Sequence, residues 1–191
     1  MKTLAIVGSA ITGRNALVNT CSIYDDIWTL AWDRVSSRYS TLMFDMHPIV
    51  KNRNYGSMTF EDYIDHLYRA SLNGQLILAN YDNEIYRAKL YPIDKVIKTI
   101  GRNYFLSSLG YMLGYAIYLN EFNEIHFIGI DFEVDKTRFY QLANLEYLCG
   151  VAEGRGIKII PHYTSDMLGN PYMYGYHFQR QMTDKNEKTE R

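Results

Sequence analysis

The chain has 191 residues, a formal net charge of −1 and a 47% apolar fraction, enough to bury one core and ordinary for a globular protein, without the basic excess of a protein that lives on duplex DNA. Its two cysteines, Cys21 and Cys149, lack C-x-x-C spacing, which excludes a disulfide framework and a cysteine-based zinc site. No run reaches the ~18 apolar residues of a membrane span, and the apolar part of Met-Lys-Thr-Leu-Ala-Ile-Val is too short for a signal peptide, so a cytoplasmic protein that does not engage membranes is expected.

Thr3 to Val7 is short, apolar and β-branched and stops at Gly8, the pattern of a buried first strand. Gly8-Ser9-Ala10-Ile11-Thr12-Gly13 forms a loop into a first helix that runs to about Asn19. Ile27–Ala31 and Thr41–Met46 read as the second and third strands. Pro48 biases His47 away from α geometry and marks the third strand's exit. Lys51–Met58 is polar, with Gly and Asn, and is expected to be a mobile loop. Thr59 can cap a helix from Phe60 to about Leu72, with Glu61 and Asp62 in the first turn, where the helix dipole favours them, and Asn73-Gly74 stops it.

Gln75–Ala79 is a fourth strand, and Asn80–Tyr91 is a lid or an irregular connection. Pro92 opens a helix to about Ile100, which Gly101 ends. Lys89, Lys95, Lys98 and Arg102 in this span read as a solvated face. Ser107-Ser108 begins an almost wholly apolar helix. After the polar turn Asn120–Glu124, Ile125–Ile130 is a buried strand that stops at Asp131. Arg138–Val151 is helical and Ile157–Ile160 is the last strand, closed by Pro161. Strands and helices alternating with short connections predict a single-domain, Rossmann-like α/β fold: a doubly wound, mostly parallel sheet with helices on both faces. The domain spans residues 1–182, and residues 183–191 form a charged, disordered tail.

Ligands of open parallel sheets sit outside the carboxyl ends of the strands, which selects the candidate residues. Gly8, Ser9, Thr12 and Gly13 lie where phosphate-binding loops lie, before the first helix, although the stretch is neither G-x-G-x-x-G nor a P-loop. Two readings stay open for it: an anion cradle, or a tight turn. Ser107 and Ser108 form a second such corner or a simple N-cap. Asp131, a catalytic candidate, can bind a ribose hydroxyl and orient a sugar, hold a divalent cation or act as a base, or it can cap its own loop. His47 is the best-placed general base, since imidazole titrates near neutrality, and His162 is its rival. No metal-ligand cluster stands out. The 18 tyrosines suit semi-buried walls and contact surfaces, and Tyr172-Met173-Tyr174-Gly175-Tyr176 offers an oligomer contact.

The first strand and loop, the Ser107-Ser108-Leu109-Gly110-Tyr111-Met112 helix start and the strand Glu124 to Phe132 together resemble bacterial lipooligosaccharide sialyltransferases and the related 6-hydroxymethylpterin diphosphokinase-like Rossmann proteins. The stretch from Asn144 to Ile160 is similar to small phage proteins of that superfamily. The first loop of the sialyltransferases reads Gly-Asn-Gly-Pro-Ser; Gly8 and Ser9 stand at its start here, and the other positions differ. Their Thr-Ser helix start matches Ser107-Ser108. The resemblance implies a phage-type protein with a crevice for a nucleotide or nucleotide sugar as donor. Glycosyl transfer is the implied reaction, with the acceptor open and nucleic acid or glycan among the candidates. A non-catalytic phage protein that sequesters a nucleotide signal or docks a host protein is the alternative, and a diphosphokinase using Mg²⁺-bound ATP is a second.

Overall fold

The computed structural model describes residues 1–53, 55–130, 139–162, 165 and 167–169. Asp131, the Tyr172–Tyr176 segment and the 183–191 tail lie outside them. In chain order the elements are β1 (Thr3–Val7), α1 (Ile11–Thr20), β2 (Asp26–Leu30), β3 (Leu42–Asp45), α2 (Phe60–Leu72), β4 (Leu76–Leu78), β5 (Lys89–Leu90), α3 (Ile93–Ile100), α4 (Ser108–Leu119), β6 (Glu124–Ile128), α5 (Phe139–Glu153) and β7 (Lys158–Pro161). The strands form one sheet in the order β5-β4-β3-β2-β1-β6-β7, and every described pairing is parallel. The fold is therefore the Rossmann-like α/β sandwich expected from the alternation, with a wholly parallel sheet.

Period-2 side-chain alternation sorts the core into two layers. Leu4, Ile6, Trp28, Leu30, Phe44, Ile125 and Phe127 pack under α3, α4 and α5. Ala5, Val7, Ile27 and Ile128 face Leu17 of α1, while Met43, Leu76 and Leu78 face Tyr63, Leu67 and Ala70 of α2. Because both faces are covered, Leu4–Val7 of β1, Leu42–Phe44 of β3 and Leu76–Leu78 of β4 are apolar in succession rather than alternating. α4 lies between α3 and α5 and is apolar all round, as a sandwiched helix must be. Its Gly114 approaches Val96 and Ile100 of α3, and its Gly110 approaches Asn144 of α5.

Local signals fix several ends. Thr59 and Asp62 make a reciprocal capping box on α2, and Gly101 takes a left-handed φ of 84° to end α3. β5 lies inside the span read as a lid or irregular connection. It is two residues long and exposed, so it carries no periodic signal. The expectation of a mobile loop at 51–58 is corrected: Tyr55 and Met58 are buried, and the Tyr55 hydroxyl both accepts from Val50 N (3.0 Å) and donates to Val50 O (2.8 Å).

From β1 the chain builds outward to β5, then crosses back under α3 and α4 to place β6 on the other side of β1. The topological switch point therefore lies between β1 and β6. Backbone fills it. Gly8 N donates to Ile128 O (2.8 Å) and Ala10 N to Gly129 O (3.1 Å). A Cβ on Gly13 would sit 2.3 Å from the Gly129 Cα, and Gly129 itself has φ +66°.

Gly13→Ala should therefore lower stability by about 1–3 kcal/mol through overpacking. Gly150→Ala, in α5 with no atom within 4 Å of its Cβ position, should raise it by up to about 1 kcal/mol through helix propensity. Urea denaturation midpoints moving in opposite directions would bear this out; equal midpoints would refute the close-contact account.

Candidate functional site

The loop after β1 has two roles in one stretch. Gly8 and Gly13 are required by the contact with Gly129, and Ala10 N–H is already engaged there. Ala10 supplies no side-chain cap to α1, and no acidic residue stands in the first turn. The positive end of the helix dipole is thus left without a local anionic partner at a strand end. Ser9 is half-buried beside it. Thr12 belongs to the first turn of α1, and its side chain is outside what is described.

Ser107 is the N-cap of α4, its hydroxyl oxygen accepting from Gly110 N at 3.1 Å, so the capping reading holds for it. Ser108 is the first helical residue and half-buried. Their position is fixed from α5, by a residue without any sequence signal. The fully buried Asn144 donates through Nδ2 to Tyr104 O (2.7 Å) and accepts at Oδ1 from Leu106 N (3.1 Å). It clamps the segment that delivers Ser107.

A dense polar cluster lies at the C-terminal end of β3. The Asp45 side chain is 0% exposed, yet it is an ion-pair partner. Oδ1 accepts from His47 N (3.1 Å) and Arg53 Nη1 (3.2 Å), and Oδ2 accepts from the Tyr63 hydroxyl (2.6 Å) and Arg53 Nη1 (3.3 Å). His47 Nδ1 lies 3.4 Å from Oδ1, and Arg53 Nη2 lies 3.2 Å from the same Nδ1. Burial pushes the Asp45 carboxyl up, but hydrogen bonds from His47 and Tyr63 and the Arg53 charge outweigh it and hold the carboxyl below its ordinary value. Burial and the Asp45 charge push the Tyr63 phenol far up, so it stays a donor.

The loop geometry delivers Arg53. Tyr55 stacks on Tyr63 at 4.2 Å between ring centroids, and the guanidinium lies over the Tyr55 ring at 5.3 Å. The His47 side chain is 51% exposed and that of Arg53 19% exposed, so solvent reaches both while the carboxylate between them stays dry.

The structure brings Gly8 and Gly13 together with Gly129, and His47 together with Asp45. Ser107-Ser108 stands at α4 in the other layer, and Asp131 lies outside the described residues. Beyond β6, the Ser165 hydroxyl donates to Ile130 O at 2.7 Å, and His162 N donates to Phe127 O at 2.8 Å, continuing the β7 ladder. Arg53, Tyr55 and Tyr63 were invisible in the sequence. No regular spacing links them, and only the loop's return over Asp45 does. Asp33, in the turn after β2, is also a buried carboxylate, but its oxygens accept from Val35 N (3.3 Å) and the Ser36 hydroxyl (2.8 Å) within that turn.

Among the described residues, no group of three His, Cys, Asp or Glu side chains is arranged to hold a metal ion. None of their helices is long and apolar enough to cross a membrane. A surface depression of about 620 Å³ is lined by Arg102, Asn103, Tyr104 and Tyr147, none of them a strand-end residue. No family model matches the chain, and neither does any curated protein or solved structure.

Asp45 carries a pH signature. Its depressed native value adds stability that is complete above about pH 4, the unfolded carboxylate range, and is lost as pH falls through the native value. Asp45→Asn should flatten this part of the acid limb in urea titrations, while Asp25 and Glu124, which are also depressed, keep their share of it. Tyr63→Phe should cost about 1–3 kcal/mol by removing a donor from a buried carboxylate. An acid limb identical in wild type and Asp45→Asn would count against the cluster's electrostatics.

Proposed function

We propose that the chain binds a nucleotide or nucleotide sugar across the strand ends from β1 to β3 and transfers its glycosyl group, with His47 as general base. The observation that carries this reading is the buried, ionised Asp45, which gives a solvent-exposed imidazole an anionic partner at the carboxyl edge of a parallel sheet. Strands lie ~4.8 Å apart, so the ends of β1 and β3 are about 10 Å from one another, a span that one nucleotide-sized ligand covers. One phosphate takes the uncapped first turn of α1 beside Ser9, the Gly8 and Ala10 N–H groups being bound to Ile128 O and Gly129 O. Ser107 and Ser108 are assigned to the ribose and phosphates from the α4 side. Asp131, next after Ile130 in the sequence, orients the sugar or ribose.

In the step itself the bond from the anomeric carbon to the phosphate oxygen breaks, and the leaving nucleotide keeps the electron pair. The acceptor oxygen bonds to that carbon and gives its proton to His47 Nε2. Charge developing on the leaving phosphate faces the α1 dipole, where fixed N–H groups stabilise it without reorganisation.

Native mass spectrometry with a panel of nucleoside diphosphates, nucleoside triphosphates and nucleotide sugars tests the binding, and hydrolysis of the bound donor without acceptor tests the chemistry. His47→Gln should retain the donor and lose roughly 10²–10⁴-fold in turnover, the usual contribution of a general base. Unchanged turnover in that variant would remove His47 from the mechanism. Tight stoichiometric binding without turnover would select a nucleotide-sequestering protein instead, and no binding across the panel would overturn the nucleotide reading altogether.

A further inference from the structure

Two neighbours compete for one nitrogen. Ionised Asp45 only accepts hydrogen bonds, so its contact with His47 Nδ1 at 3.4 Å requires Nδ1 to carry the proton. Arg53 only donates, so its contact with the same Nδ1 at 3.2 Å requires Nδ1 to be unprotonated. A neutral imidazole satisfies one or the other. With Arg53 as the partner, the proton sits on Nε2 and the outward-facing nitrogen is a donor. With Asp45 as the partner, Nε2 presents its lone pair to solvent and can act as a base.

We infer that Arg53 is an anion receptor whose engagement by a phosphate group of the ligand releases His47 Nδ1 to Asp45, and so converts His47 from a donor into a general base. The inference rests on the nucleotide reading for its biological meaning, but its geometry stands on the Asp45–His47–Arg53 cluster alone. Arg53 has five N–H donors, and the described contacts use only Nη1, to Asp45, and Nη2, to His47. Its side chain is 19% exposed, so an anion arriving from solvent can reach it. A charge-assisted bond from guanidinium to phosphate is roughly twice as strong as one between neutral partners, and a neutral imidazole nitrogen is the weakest acceptor that Arg53 now holds.

Nothing has to move far for the exchange. The Asp45 carboxylate keeps His47 N and the Tyr63 hydroxyl as donors throughout, and the short turn from Asp45 to His47 already places Nδ1 beside Oδ1. Loss of part of the Arg53 contact is offset by the Nδ1–H bond that replaces it. Arg53 is thus a positioning residue for the base: it senses the ligand's charge and sets the tautomer of His47.

The experiment is ¹⁵N NMR of the histidine side chains in the full chain at mildly alkaline pH, titrated with pyrophosphate as the probe. In anion-free protein, His47 Nδ1 should give a pyridine-type resonance and Nε2 a pyrrole-type one. Saturation with pyrophosphate, followed independently on backbone amides, should exchange the two. In Arg53→Met, which has no donor for Nδ1, Nδ1 should be pyrrole-type from the start and should not respond. Arg53→Leu is a second variant with the same expectation, and the wild-type titration stands even if both variants fold poorly.

A pyrrole-type Nδ1 already in the anion-free protein, an unmoved tautomer at saturation, or no pyrophosphate binding would each overturn the inference. The outcomes separate from those of the functional reading. A nucleotide sugar that binds and turns over with the His47 tautomer unchanged would keep the function and remove the switch. A switch driven by pyrophosphate with no nucleotide bound would keep the switch and remove the function.

Discussion

A carboxylate that has lost its water must be surrounded by donors, and the end of β3 is built to meet that demand. Asp45 emerges fully buried from a strand whose preceding residues, Met43 and Phe44, are core. Three different parts of the chain converge on it: the His47 turn, the 50–55 loop through Arg53, and the first turn of α2 through Tyr63. Breaking a buried ion pair by removing one partner is costly, whereas the intact pair is not in itself a large source of stability. What the arrangement supplies is fixed geometry. The loop has one place to go because Arg53 has one buried anion to reach, and Tyr55 packs beneath the guanidinium to hold it there.

The switch point shows a second constraint of a different kind. Between β1 and β6 the backbones of Gly8, Gly13 and Gly129 approach too closely for any side chain. This sets α1 tightly against the sheet and aims its uncapped first turn at the carboxyl edge. On the other face, α4 is held between α3 and α5 by two glycine approaches and by Asn144, which fastens the segment before Ser107. Packing in the two helical layers therefore decides where the two helix N-termini stand, and the polar cluster of β3 lies along the same edge of the sheet.

Much of this was legible in the chain itself. Buried strands such as Thr3–Val7 and the 60–72 helix announce themselves because a fully covered parallel strand is apolar at every position and a capped amphipathic helix has a period and a start signal. The order of strands and helices was enough for the fold class. His47 was visible as a polar residue ending an apolar run, and the structure has it beside the end of β3 at the carboxyl edge of the sheet. β5 was not legible, because two exposed residues have neither period nor burial to show. The 51–58 loop was misread for a related reason. Its composition is that of a mobile connection, and the contacts that tie it down, Tyr55 to Val50 and Arg53 to Asp45, are made by single residues without pattern.

Sequence alone determined the longer elements, their alternation and the strand ends at which polar residues collect, because these follow from local propensity and from which side chains water excludes. Only the tertiary structure decided that Gly8 and Gly13 serve a backbone contact with Gly129, that Asn144 positions Ser107, and that Arg53 and Tyr63 share one carboxylate with His47. Such partnerships join residues 8 to 121 positions apart in the chain, as Arg53 is from Asp45 and Gly129 from Gly8. They are chosen by the register and layering of the sheet, which no single stretch of sequence encodes, and by the requirement that a buried charge find its donors wherever the fold has brought them.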